Sequence, residues 1–218
     1  GLRTNLQYFM REEDQKVITV TSSVSGEGKT FVALNLSAIF ALAGKKTLLV
    51  GLDLRKPKVH KVFNMDNHQG VSTVLIDQAK FDDIILESDI TNLYLAPSGP
   101  IPPNPAELLE TNAMKKFLEE AKSKFDIIIL DTPPFGVVTD ALILGRISDA
   151  ALFLIRQNYS SKDVMDLINE VNARKEFNSL GIVFNDLKKK GVYGRKYGRG
   201  YSYGYGYVYG GEGYYGEG

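Results

Sequence analysis

Short β-branched apolar runs alternate with longer Ala- and Leu-rich stretches through most of the chain. Val17-Ile18-Thr19-Val20, Thr47-Leu48-Leu49-Val50, Leu93-Tyr94-Leu95-Ala96, Ile127-Ile128-Ile129-Leu130, Ala151 to Ile155 and Leu180 to Phe184 each predict a strand buried on both faces. Residues 31–43 hold no breaker before Gly44 and predict a helix. Further helices are predicted over 71–77, 81–86, 106–124, 139–147 and 162–175. Thr111-Asn112 is a candidate break in the third of these; Thr139 and Asp140 are cap candidates for the fourth, and Ser160 or Ser161 for the fifth. Leu2, Leu6 and Phe9, at helical spacing, predict a short amphipathic helix ahead of the first strand. Pro57 stops regular pairing after the second strand, and residues 97–105 hold five prolines in a loop. Strands of this kind alternating with helices indicate an α/β, doubly wound, mainly parallel sheet flanked by helices. Ligands of such sheets bind beyond the carboxyl ends of the strands.

Three of those ends carry reactive side chains. The first strand runs into Thr21-Ser22-Ser23-Val24-Ser25-Gly26-Glu27-Gly28-Lys29-Thr30 and then into the first long helix. Strand, glycine-containing loop ending in Gly-Lys-Thr, and helix is the context a phosphate-binding P-loop requires. Loop and helix N–H groups converge on one small volume and favour an anion there. Ser25, Gly26, Glu27, Gly28, Lys29 and Thr30 are therefore candidate nucleotide-binding residues, with Lys29 toward the β- and γ-phosphates and the Thr30 hydroxyl on Mg²⁺. Ser23 stands where the pattern usually begins with Gly. A Gly-Lys-Thr in an ordinary turn would leave unexplained why a strand and a helix flank it.

Asp131 ends the Ile-Ile-Ile-Leu run, where a carboxylate near Thr30 can hold Mg²⁺ directly or through water. Asp53 also follows a buried strand. It can serve the metal or accept the proton of an attacking hydroxyl; a salt bridge with Arg55 or Lys56 is the equal alternative. Arg55 can meet either phosphate or an acidic partner. His60 and His68 sit in no ligand-spaced cluster and receive no metal role.

The 218 residues suffice for one domain with its own core. With 26 basic and 26 acidic residues, the charge balance argues against a generic nucleic-acid partner. Without cysteine there is neither a disulfide framework nor thiol chemistry. No apolar run is long enough to cross a bilayer. The chain opens on Gly1-Leu2-Arg3 without Met, as a piece of a longer protein would. The composition changes at the end: Tyr193, Tyr197, Tyr201, Tyr203, Tyr205, Tyr207, Tyr209, Tyr214 and Tyr215 are set among glycines, with too few aliphatic side chains to offset ordering entropy. The division expected is a phosphate-binding domain over 1–190 and a flexible tail over 191–218. Lys188, Lys189, Lys190, Arg195, Lys196 and Arg199 precede or interleave the first tyrosines and attract anions.

Taken in order, these stretches resemble the cytoplasmic kinase domain of the bacterial tyrosine kinases (BY-kinases) of the polysaccharide co-polymerase type. Ser22 to Thr30 is similar to the family's Walker A segment, Leu49 to Pro57 to its Walker A′, and Asp126 to Pro134 to its Walker B ending L-D-T-P-P. Gly99 to Leu109 is similar to its G-x-x-P-P-N-P-x-E-L-L, and Leu2 to Leu6 to the end of its oligomerisation helix, of which Arg3 is present. Gly51 replaces the first Walker A′ aspartate, and Ser25 replaces a usual proline. The resemblance implies a P-loop NTPase fold of the MinD/ParA-like type. It implies an ATP- and Mg²⁺-dependent protein-tyrosine autokinase, with Lys29, Asp53 and Asp131 catalytic, Thr30, Asp53 and Asp131 on the metal, and Arg55 among the nucleotide-binding residues. Asp53 is the residue expected to activate the tyrosine hydroxyl. The nine tail tyrosines become phosphoacceptors, modified by a neighbour in a homo-oligomeric ring. A membrane co-polymerase segment (fused or separate) and a cognate tyrosine phosphatase are the implied partners. The implied setting is the cytoplasmic face of the bacterial inner membrane, and the implied role is control of capsular or exopolysaccharide synthesis and export. Two rivals share the loop: a MinD/ParA-like switch ATPase, disfavoured because Val24 stands where those proteins carry an extra lysine, and a non-catalytic nucleotide-binding module with a self-associating tail.

Overall fold

The computed structural model describes residues 16–135 and 140–188. The predicted helix over 2–10, Arg3, Thr139 and the tyrosine tail lie outside the described residues.

The seven strands of the described sheet are β1 (Val17–Ser22), β2 (Thr47–Gly51), β3 (Leu86–Glu87), β4 (Leu93–Ala96), β5 (Ile127–Asp131), β6 (Ala150–Arg156) and β7 (Leu180–Asn185). Their order is β3-β4-β2-β5-β1-β6-β7, all parallel except β3, which pairs antiparallel with β4. The helices are α1 (Lys29–Leu42), α2 (Val59–Val62), α3 (Val71–Leu75), α4 (Pro105–Leu109), α5 (Asn112–Lys124), α6 (Asp140–Arg146) and α7 (Val164–Ala173). The winding runs from β1 outward through β2 to β4 and β3. It returns to β5, between β2 and β1, and then passes β1 to reach β6 and β7. The reversal falls beside β1, where doubly wound sheets open a binding crevice.

Every residue of β1, β2 and β5 is buried, as the unbroken apolar runs require. The period-2 alternation of a strand divides these side chains between two cores. Val17, Leu48, Val50, Ile128 and Leu130 join Leu118 and Ala121 of α5 on one face. Ile18, Val20, Leu49, Ile127 and Ile129 join Leu34, Leu36 and Phe40 of α1 on the other. Gly44 ends α1 at φ +82, its N–H on the Ala41 carbonyl (2.9 Å) while Lys45 N–H reaches Phe40 (3.1 Å). That is the paired closure in which glycine tolerates the left-handed turn. The helix predicted over 106–124 is broken at Thr111, whose hydroxyl accepts the N–H of Met114 (3.4 Å) and starts α5 afresh.

Two local expectations change. The helix over 81–86 is reduced to a single 3-10 turn, Asp82–Ile84. Asp83 closes the turn on Lys80 N–H (3.0 Å), Phe81 and Ile84 are buried at i,i+3, and Leu86 is released into β3 opposite Leu95. Neither Ser160 nor Ser161 caps α7, which starts after Asp163 without a side-chain cap. Ser161 Oγ donates to Asp163 (3.0 Å), and Ser160 is engaged at the phosphate loop instead. No helix among the described residues is long and apolar enough to cross a membrane.

Candidate active site

The sheet register brings the three carboxyl ends together. Asp131 is level with Val20 on β1 and with Gly51 on β2. The loop leaving β1 ends at Gly28, which stands at φ +99 just ahead of α1, so Lys29 and Thr30 form the first turn of a 14-residue helix. Gly26 and Gly28 both lie in the left-handed region, which bends the loop around the helix end.

Lys29 is almost fully buried, and its Nζ donates to Ser22 Oγ (3.0 Å), which in turn donates to the Val24 carbonyl (2.8 Å). Burial lowers the Lys29 pKa below the ordinary lysine value, opposed by the charges of Asp131 and Asp53. Thr30 Oγ1 donates to Asp131 Oδ2 (2.7 Å). The Asp131 carboxyl is buried, and burial pushes its pKa up to about 7, against the hydrogen bond from Thr30 and the charge of Lys29. Its other oxygen, Oδ1, is buried with no hydrogen-bond partner among the described residues. A buried, unsatisfied carboxylate oxygen beside a threonine hydroxyl offers the oxygen donors that suit Mg²⁺, with the Lys29 charge left for phosphate. No group of three His, Cys, Asp or Glu among the described residues could hold a metal alone. Phosphate oxygens and water would complete the shell, as Mg²⁺ prefers.

Asp53 sits just beyond β2, and its Oδ1 accepts the backbone N–H of Lys56 (3.0 Å), tying the segment into a turn. Arg55 does not pair with it. The guanidinium lies side-on against Asp140 at the start of α6, Nε to Oδ2 at 2.9 Å and Nη2 to Oδ1 at 3.0 Å. Of the two partners open to Arg55 from the sequence, the structure supplies the acidic one. Gly51 leaves no carboxylate between Asp53 and Asp131; a Cβ there would lie 2.7 Å from Ser98 Oγ.

Glu27, a nucleotide-binding candidate by position, turns its carboxylate away from the crevice into the loop's own interior. It is fully buried, with Oε1 accepting from Ser23 Oγ (2.8 Å) and from Ser160 Oγ, and Oε2 from Val24 N–H (2.8 Å). The back of the loop is held from β6 and β7. Arg156 Nη1 donates to the Gly26 carbonyl (2.8 Å), Tyr159 Oη to the Ser25 carbonyl (2.9 Å) and Asn185 Nδ2 to the Glu27 carbonyl (2.9 Å). A Cβ at Gly26 would meet Tyr159 Oη and one at Gly28 Asn185 Nδ2, so a side chain at either would also displace the group that braces the loop there. Arg156, Tyr159 and Asn185 are not singled out by the sequence, Ser160 is only a cap candidate in it, and Ser22 is only part of the loop stretch. The carboxyl-edge rule that pointed to Asp53 and Asp131, applied to the ends of β6 and β7, finds Arg156 and Asn185.

Residues 15–181 match the family model described as an AAA domain. The chain is 38% identical over 200 residues to the tyrosine-protein kinase YwqD of Bacillus subtilis, covering 89% of this chain and 84% of that one. It is similar to the solved kinase domain of the Escherichia coli tyrosine kinase ETK, with a TM-score of 0.82 at 30% identity over 92% of this chain and 78% of that one. The cell division ATPase MinD of Pyrococcus furiosus has the same fold, with a TM-score of 0.66 at 26% identity over 78% of this chain and 71% of that one.

Proposed function

The chain belongs to the bacterial tyrosine-protein kinases and contains their AAA-type domain, and from that premise we propose that it transfers the γ-phosphoryl group of ATP to the tyrosines of its own C-terminal tail. The observation that carries the site assignment is the Thr30–Asp131 hydrogen bond, with the orphaned Asp131 Oδ1 beside it and buried Lys29 at the same helix end.

In this reading the N–H groups of residues 25–28 and of the first turn of α1 cradle the phosphates, and Lys29 adds its charge to them. Lys29 must be charged to do so; the acidic groups around it oppose the effect of its burial. Thr30, Asp131 and Asp53 would hold Mg²⁺, which supplies charge neutralisation on the phosphate oxygens when bound. Asp53 accepts the phenolic proton as the tyrosine oxygen attacks. A phenol with a pKa near ~10 is otherwise almost wholly protonated at neutral pH. The acceptors are Tyr193, Tyr197, Tyr201, Tyr203, Tyr205, Tyr207, Tyr209, Tyr214 and Tyr215, presented by a neighbouring subunit of a ring that uses Arg3. A membrane co-polymerase segment anchors the ring at the cytoplasmic face of the membrane, a tyrosine phosphatase resets it, and the cycle controls capsular or exopolysaccharide export. The resemblance to the kinases of the polysaccharide co-polymerase type supports this setting.

Mass spectrometry of the purified chain after incubation with Mg²⁺ and ATP tests the reading. Phosphotyrosine is expected in the tail of the wild type and absent from Lys29→Met. ATP turnover to ADP with no phosphotyrosine would replace it with a switch ATPase.

A further inference from the structure

Arg55 and Asp140 are 85 residues apart in sequence and meet in a side-on, two-point ion pair. The Asp140 side chain is fully buried while that of Arg55 is 40% exposed, so the pair is set into the molecule from the Asp140 side. Two of the three guanidinium nitrogens are spent on it. Apolar packing flanks the pair on both elements: Leu54, adjacent to Arg55, and Leu144, one turn along α6 from Asp140, are buried in one core cluster. Asp53 lies two residues before Arg55 in the turn closed by its own bond to Lys56 N–H. Leu52 N–H is fixed to the Asp131 carbonyl (2.8 Å). The segment 52–56 is thus anchored to β5 at one end and to α6 at the other, with Asp53 between the anchors. The charge of Asp53 is felt by both Lys29 and Asp131, so its placement bears on the whole phosphate site.

We propose that Arg55 is a positioning residue: through its ion pair with Asp140 it fixes Asp53 relative to Asp131 and Lys29, and it does not bind nucleotide. The assignment rests on the tyrosine-kinase reading and refines it. It fits the side-on geometry, which aligns a planar fork and a carboxylate in one orientation and which lysine cannot reproduce. It also fits the burial of Asp140, whose charge would be left without its partner if Arg55 swung toward a phosphate.

A double-mutant cycle on the purified chain tests it. Phosphotyrosine formation gives kcat and KM for ATP, and a fluorescent ADP analogue gives nucleotide affinity. Arg55→Ala and Asp140→Asn are each expected to lower kcat about tenfold or more, with KM and analogue affinity held within about twofold. The double variant is expected to be no slower than the slower single, and Arg55→Lys to fall in between. The proposal is overturned if Arg55→Ala weakens the analogue about tenfold while Asp140→Asn does not, if both singles keep wild-type kcat, or if their effects simply add. Thermal melts accompany every variant. Should a single substitution unfold the chain, the inverted pair Arg55→Asp with Asp140→Arg takes its place and must recover kcat over Arg55→Asp; no recovery also overturns the proposal. A wild type that forms no phosphotyrosine refutes the kinase reading itself, whereas an active wild type with indifferent variants refutes only this assignment.

Discussion

Thr30 Oγ1 and Asp131 Oδ2 meet at 2.7 Å across 101 residues of sequence, and this bond joins the start of the first long helix to the end of the central strand. It satisfies one carboxylate oxygen, while the other is buried without a hydrogen-bond partner among the described residues. A site built this way is more costly to hold ionised than to hold protonated, and that has a measurable signature.

Asp131 has its pKa raised from 3.8 to about 7 by burial. In metal-free buffer the folded state therefore holds a proton that the unfolded state releases. The stability it contributes is fully present below pH ~4 and is lost as pH rises through ~7, at a slope of up to about 1.4 kcal/mol per pH unit between the two values. Urea unfolding of the wild type and of Asp131→Asn at pH 5 and 7.5 with EDTA is expected to show the wild type losing ground to the variant as pH rises. Equal pH dependence in the two proteins would contradict the assignment. Mg²⁺ with nucleotide is expected to reverse the loss above pH 7, since a cation stabilises the ionised form.

Glu27 predicts a different defect. Its carboxylate accepts three hydrogen bonds inside the loop and touches no part of the phosphate cradle with its side chain. Glu27→Ala strands Ser23, Ser160 and the Val24 N–H, at a cost of about 2–4 kcal/mol in stability. The variant is expected to melt lower and to bind the ADP analogue more weakly, with Glu27→Gln falling between it and the wild type. Weakened binding at an unchanged melting temperature would place the carboxylate on the ligand instead.

Gly51 stands where the resemblance to the bacterial tyrosine kinases implies a further aspartate. A Cβ there meets Ser98 Oγ at 2.7 Å, with Ser98 N and Val59 Cγ2 both at 3.3 Å. Gly51→Asp is therefore expected to destabilise the chain by about 1–3 kcal/mol through overpacking. Adding Ser98→Gly, which clears the nearest atom, is expected to recover much of it. Thermal unfolding of the single and double variants checks this; no recovery would mean that backbone, not the serine side chain, sets the limit.

The parts legible in the sequence were those encoded locally. Ile127 to Leu130 reads as a doubly buried strand, Gly44 as the stop of α1, and Gly28-Lys29-Thr30 between a strand and a helix as a phosphate loop in preference to an ordinary turn. The unread parts are partnerships set by strand order. Glu27 is placed by the sequence only as a position of the loop, because Ser160, 133 positions away, is brought to its carboxylate only by the placement of β6 next to β1. Arg55 had a free choice of partner until α6 delivered Asp140. Residues 81–86 misled in the opposite way: Phe81 and Ile84 have helical spacing, yet one turn buries both, and β4 recruits Leu86 as an edge strand.

Because the winding reverses at β1, the phosphate loop is gripped in front by β5 and behind by β6 and β7. Arg156 and Asn185 at the ends of that rear pair of strands, and Tyr159 in the turn after β6, donate to the carbonyls of Gly26, Glu27 and Ser25, whereas a phosphate takes up the loop's N–H groups. Substitutions at Arg156, Tyr159 or Asn185 can then retune how firmly nucleotide is held while every phosphate ligand stays the same. That gives evolution, or an engineer, an adjustment for turnover and residence time that leaves the chemistry of the site untouched.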